Sequence, residues 1–167
     1  MECELPSGWI HAAEKGDGDP IVFVHGWATT SRVWRSVFER WEAGGKLIAL
    51  DLRGVGFSFK PPAAEDYTLE HFATDVERVI DSFGKPVRLV GHSMGGQIAQ
   101  RVASRSPEKV SHLALVSPVP AGGVPMEAGD VAYFNSLAGR ADGMRTVLSS
   151  MVGSEVDPDA LERLIED

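Results

Sequence analysis

A chain of 167 residues is long enough for one domain with a substantial core, and 43% hydrophobic with 24% charged residues is the composition of a globular protein in water. No apolar run approaches the roughly 20 residues of a membrane span, and the start Met1-Glu2-Cys3-Glu4 lacks the basic opening of a signal peptide, so no membrane partner is expected. The net charge of −8 argues against nucleic acid and anionic membrane surfaces, and the lone Cys3 leaves no internal disulfide and fits a reducing, cytoplasmic setting.

The first extended stretch runs from Trp9 to Glu14 and gives way to the turn Lys15-Gly16-Asp17-Gly18-Asp19-Pro20. Ile21-Val22-Phe23-Val24 is a continuous apolar run, the mark of a strand covered on both faces, and it ends at His25-Gly26-Trp27. Val33, Trp34, Val37, Phe38 and Trp41 recur at helical spacing behind the candidate caps Thr29, Thr30 and Ser31, and Gly44-Gly45 close that helix. Leu47-Ile48-Ala49-Leu50 is the next buried strand, ending at Asp51-Leu52-Arg53-Gly54-Val55-Gly56-Phe57-Ser58.

A proline-rich loop from Lys60 to Ala64 precedes a second amphipathic stripe: Leu69, Phe72, Ala73, Val76, Val79, Ile80 and Phe83. Thr68 is its cap and Gly84 its terminator. Val87 to Val90 follows as a strand, then a helix from Gln97 to Ser106 with Ile98, Ala99, Val102 and Ala103 inward and Pro107 at its end. Leu113 to Val116 reads as a further buried strand. Strands alternating with helices predict an α/β fold, a mostly parallel sheet with helices on both faces. After Val116 the pattern changes. Ser117 to Gly129 is irregular, and three helical patterns follow: Val131 to Leu137; Met144, Val147, Leu148 and Met151; and Leu161, Leu164 and Ile165, the last opened by Asp157 and Pro158. The expected division is a core over residues 1–118 and the beginning of a helical cap over residues 119–167.

The stretch that carries chemistry is Gly91-His92-Ser93-Met94-Gly95-Gly96, a G-x-S-x-G pattern between a strand and a helix. A serine there turns so tightly that its backbone is strained, and glycines two before and two after leave room for strand and helix to cross. The turn lifts the hydroxyl above the sheet and places the next amide at a helix N-terminus, where it can stabilise an oxyanion.

The order His25-Gly26, then D-x-R-G-x-G-x-S from Asp51 to Ser58, then Gly91 to Gly96 resembles the α/β-hydrolase fold family from about Ile21 onward. Within it the chain looks most like the cap-bearing serine hydrolases: esterases, lactonases, carbon–carbon bond hydrolases and cofactor-free haloperoxidases. The resemblance implies Ser93 as nucleophile, with the backbone N–H groups of Met94 and Trp27 as the oxyanion hole. His25, Gly26, Gly91, His92 and Gly95 would shape the motif. Relatives that open epoxides or displace halide carry aspartate at the position of Ser93, so serine implies acyl transfer to water on a small acyl substrate. No cofactor is implied, and no Cys/His cluster has metal-ligand spacing.

Both His25 and His92 are expected to be structural, because the resemblance turns the residue before the nucleophile away from the reacting face and gives the His of His-Gly to the oxyanion loop. His11, His71 and His112 are expected on elements that do not reach the C-terminal edge of the sheet. Asp51 and Arg53 are expected to hold their loop by a cap or an ion pair. A serine nucleophile needs a base and an orienting acid. The family supplies these after later strands in the order Ser, Asp/Glu, His, and here no histidine follows His112. The expected reading is the N-terminal portion of a longer hydrolase, truncated after about its sixth strand. Its Leu113–Val116 strand would then lack its next neighbour and form a flat apolar sheet edge, so the chain would self-associate or be completed by a C-terminal segment. The competing reading is a non-catalytic binding module or inactive fragment that keeps the pocket.

Overall fold

In the computed structural model, which describes residues 1–6, 8–137 and 140–151, six strands form one sheet. They are β1 (Glu2–Leu5), β2 (Gly8–Lys15), β3 (Pro20–Val24), β4 (Lys46–Leu50), β5 (Val87–His92) and β6 (Val110–Val116), in the spatial order β1-β2-β4-β3-β5-β6. The four strands from β4 to β6 run parallel, while β2 lies antiparallel to both β1 and β4.

The period of two along each strand sorts the side chains onto two faces. From β3 and β4, Val22, Val24, Ile48 and Leu50 point into one core, where Ala73, Val76, Val79 and Ile80 of α2 (Leu69–Asp81) and Ile98, Ala99 and Val102 of α3 (Met94–Arg105) meet them. The alternate residues Ile21, Phe23, Leu47 and Ala49 point to the other face, against Trp34, Val33, Phe38 and Trp41. A strand that feeds two cores must be apolar at every position, hence the unbroken run Ile21 to Val24. Each large side chain so buried contributes about 1.5–3 kcal/mol relative to exposure.

Local signals set the element ends. Thr68 caps α2 by accepting from the His71 amide, and Thr30 accepts from the Arg32 amide. The stripe from Val33 to Trp41 divides into a 3-10 turn over Ser31–Trp34 and a short α1 (Arg35–Arg40), ended where Trp41 adopts extended backbone. Pro107 opens a second 3-10 turn directly after α3.

One feature differs from expectation and one meets it. The N-terminus, read only for its lack of a signal, forms β1, with the Met1 ammonium donating to the Ala12 carbonyl at 2.7 Å. The strand Leu113 to Val116, whose apolar run reads as buried, is the outermost one, the apolar sheet edge expected of it. Leu113, Leu115 and Val116 are 39%, 39% and 45% exposed. A continuous apolar run signals two covered faces only where neighbours exist, and β6 pairs with β5 on one side alone among the described residues.

The chain divides into two units, Met1–Gly123 and Val124–Asp167. The first holds the sheet and α1 to α3. In the second, α4 (Ala128–Ser136) and α5 (Ala141–Met151) form, with Leu137 and Val147 buried. The third helical pattern, Leu161 to Ile165 with Asp157 and Pro158, lies outside the described residues.

Candidate active site

Parallel strands deliver their following loops to one edge, and open α/β sheets place ligands there. At this edge lie the loop after Val24, the loop after Leu50, the turn at Ser93 and the segment after Val116. Three non-glycine residues have positive φ among those described: Ala28 (57°), Ser93 (53°) and Ser117 (41°). All three lie in these loops. Each such conformation costs on the order of 1–3 kcal/mol and persists only where its surroundings over-determine it.

Ser93 has φ 53° and ψ −120°, directly between β5 and the first residue of α3. The crossing is too tight for side chains. A Cβ on Gly91 would strike the Gly95 carbonyl, and one on Gly95 would strike the carbonyls of Val24 and His25. The strained turn is tied from outside as well. The Ser93 amide donates to Val116 O at 3.1 Å, and its carbonyl accepts from Val119 N at 2.9 Å and Gly96 N at 2.9 Å. Gly26 brings the loop after β3 against the serine: a Cβ there would sit 3.0 Å from the Ser93 Cβ. The Trp27 amide is one residue further along this loop. The Met94 amide, at the first position of α3, has no partner within its own helix.

Each histidine has a defined place. His25 is 1% exposed, and both ring nitrogens are engaged: Nε2 accepts from the Leu52 amide at 3.0 Å, so Nδ1 carries the proton and donates to Gly26 O at 2.8 Å. Burial, reinforced by nearby His92, lowers its pKa below 6.5 against the pull of the Gly26 bond and of Asp51. A neutral ring so committed braces the loops after β3 and β4 and has no nitrogen free for a serine proton. His92 lies edge-on to Trp34, ring centroids 6.3 Å apart, with Nδ1 buried and unpartnered among the described residues; burial lowers its pKa too. His71 meets Thr68 at the exposed start of α2, and His112 is exposed on β6.

His11 corrects the expectation made for it. Because β2 is antiparallel to β4, its N-terminal half rises to the C-terminal edge of the parallel strands. His11 Nδ1 stands 3.0 Å from Asp51 Oδ2. It is a histidine with a carboxylate behind it, but three strand spacings, about 14 Å, separate β2 from the strand that ends at Ser93. The Ser93 hydroxyl has no hydrogen bond to any histidine among the described residues.

The loop after β4 is held by charge. Asp51 accepts from Ser31 N at 2.8 Å and Phe57 N at 3.0 Å. Burial alone would raise its pKa, but the Phe57 and Ser31 amides, the Ser31 side chain and His11 bring it below the ordinary carboxylate value. Arg53 forms a buried bidentate pair with Asp75 of α2 at 2.6 and 2.7 Å and donates to Asp66 O at 2.7 Å. Sequence reading passed over Asp75, yet the signal was there: it falls at i+3 from Phe72 and i−4 from Val79, a carboxylate inside an apolar stripe, which requires a buried cation. Among the described residues no group of three or more His, Cys, Asp or Glu is placed to hold a metal ion, and no helix is long and apolar enough to cross a membrane.

Comparison with known proteins agrees with this architecture. The alpha/beta hydrolase fold matches residues 19–148. A haloalkane dehalogenase of Agrobacterium fabrum is 40% identical over 111 residues, 66% of this chain and 36% of that protein. A pimeloyl-(acyl-carrier protein) methyl ester esterase of Nitrosomonas europaea is 35% identical over 111 residues, 66% of this chain and 42% of that protein. Among solved structures, an N-acyl homoserine lactone degrading enzyme superposes with a TM-score of 0.79 at 26% identity, covering 99% of this chain and 64% of that one. The chain thus spans roughly two-fifths of the length of the curated relatives it matches. With motif order, strand order and these likenesses in agreement, the chain belongs to the α/β-hydrolase fold family.

Proposed function

We propose that Ser93 is the nucleophile of a hydrolase that transfers the acyl group of a small ester or lactone to water. The observation that carries this reading is the strained backbone of Ser93, φ 53° and ψ −120°, at the strand-to-helix turn. Strain of that size is retained where it aims a reacting group. In the proposed reaction the Ser93 oxygen attacks the substrate carbonyl while its proton passes to a base. The tetrahedral oxyanion is held by the Met94 and Trp27 N–H groups, the alcohol departs, and water releases the acid from the acyl-enzyme. The base and its carboxylate are assigned to residues outside those described, since none of the five histidine rings hydrogen-bonds the Ser93 hydroxyl. The helices α4 and α5 are assigned to a lid. The ester and lactone chemistry of two relatives supports the substrate class, and serine in place of aspartate speaks against halide displacement.

The test is a fluorophosphonate probe followed by intact mass and peptide mapping. A single adduct on Ser93 is expected, absent in Ser93→Ala. It should form slowly, because loss of the triad histidine costs on the order of 10⁶ in kcat. An adduct that persists in Ser93→Ala overturns the assignment. Rapid labelling keeps Ser93 as nucleophile but places a base inside the chain.

A further inference from the structure

The carbonyl of Ser93 and the N–H of Met94 belong to one planar peptide, so whatever fixes the carbonyl fixes the direction of the N–H. Three donors converge on that carbonyl: Gly96 N at 2.9 Å, Gln97 N at 3.3 Å and Val119 N at 2.9 Å. The first two belong to α3 itself. The third comes from the segment after β6, and that segment is anchored in turn. Gln100 Nε2, from the second turn of α3, donates to Val119 O at 2.9 Å and to Gly96 O at 3.1 Å. Both partners are carbonyls, so only the NH₂ end of the Gln100 amide can face them. Pro118 closes the contact from the same side, since a Cβ on Gly96 would lie 2.6 Å from the Pro118 Cβ. Val119 is thus held at both ends of its backbone, by Gln100 at its oxygen and by Ser93 at its nitrogen.

We propose that Gln100 is a positioning residue: it holds Val119 so that Val119 fixes the Ser93–Met94 peptide and aims the Met94 N–H at the developing oxyanion. The inference deepens the serine-hydrolase reading and rests on it for the role of Met94. The clamp does chemistry only by orientation. Three donors on the Ser93 carbonyl also polarise its peptide, which makes the Met94 N–H a stronger donor. The segment from Ser117 to Val119, irregular in sequence and strained at Ser117, is the outer jaw of this clamp.

Gln100→Met keeps side-chain length and helix propensity and removes both donors. Val102→Ala, in the buried face of the same helix, is the control for general loosening. Two readouts are needed: exchange of the Val119 amide followed by NMR, and the rate of fluorophosphonate labelling at Ser93. In Gln100→Met the Val119 amide should exchange at least about tenfold faster and labelling should slow by about tenfold, since deleting an oxyanion donor outright costs 10²–10³ and here it is only misaimed. Val102→Ala should leave the labelling rate within about twofold of wild type. Wild-type labelling in Gln100→Met, an unchanged Val119 amide, or equal slowing in both variants overturns the positioning role. If the wild-type adduct is not on Ser93, the nucleophile reading fails separately. Val119 exchange then decides the clamp alone: acceleration in Gln100→Met supports it and constancy overturns it.

Discussion

Two strand ends in this sheet, those on either side of β3, solve the same problem by opposite means. Beyond β4 the chain turns through a loop held by charged side chains: Asp51 receives two amides and His11, and Arg53 grips Asp75. Beyond β5 it turns at a single strained residue, held by backbone hydrogen bonds and by side chains that are missing, at Gly91, Gly95 and Gly96. The first end spends charge to make a loop rigid. The second removes bulk so that helix and strand can cross and leave one hydroxyl at the surface of the turn. One is a brace and the other a mount, and they share a joint in His25, whose ring links the loop after β3 to Leu52.

The largest effect should come from breaking the brace. Arg53→Leu leaves Asp75 charged, buried and alone, and should cost about 3–5 kcal/mol in urea denaturation. The double change Arg53→Met with Asp75→Leu should recover most of that loss; if it does not, the pair does more than balance charge. Next comes bulk at the mount. Gly95→Ala presses a methyl into the Val24 and His25 carbonyls and should cost about 1–3 kcal/mol, with no comparable effect at Gly122, where a Cβ meets open space.

Strain at the mount predicts a smaller effect of opposite sign. Ser93→Gly should be more stable than Ser93→Ala by about 1 kcal/mol, because only glycine adopts φ 53° without cost. Equal stabilities would mean that the turn is relaxed. The last and most gradual effect is on the joint. Burial depresses the pKa of His25, and of His92, so both states are neutral above 6.5 and stability is flat there. Below 6.5 the unfolded chain takes up protons first, and stability should decline as pH falls. Measured between pH 7.5 and 5, this slope should shrink in His25→Asn, even though that variant is less stable throughout.

Much of this was legible in the residues. The runs Ile21–Val24 and Leu47–Leu50 declared strands with two buried faces, and Thr68 declared the start of α2. Gly91 to Gly96 declared a strand-turn-helix with serine at its apex. What sequence left hidden depends on contacts between distant segments. His11 reaches the edge only because β2 is antiparallel to β4, and the direction of a strand is not written within it. Val119 clamps Ser93 across 26 residues of chain, through backbone groups that every residue carries. The run of β6 reads as buried by itself, and its place at the sheet edge followed from counting strands: an apolar run says what a strand tolerates and does not say which neighbours it has.

The strand order also bears on how the chain is made. The most apolar strand, β3, lies between β4 and β5, so the second of its two ladders cannot form until the chain has been synthesised to His92. At 5–20 residues per second, that leaves β3 half-paired for several seconds after Val24 leaves the ribosome. During this interval Val22 and Val24 lack the covering residues of α2 and α3, and the loop that later backs Ser93 has nothing to rest against. The hydroxyl is therefore mounted only when α3 docks, and the nascent chain carries an adhesive strand before it carries a site.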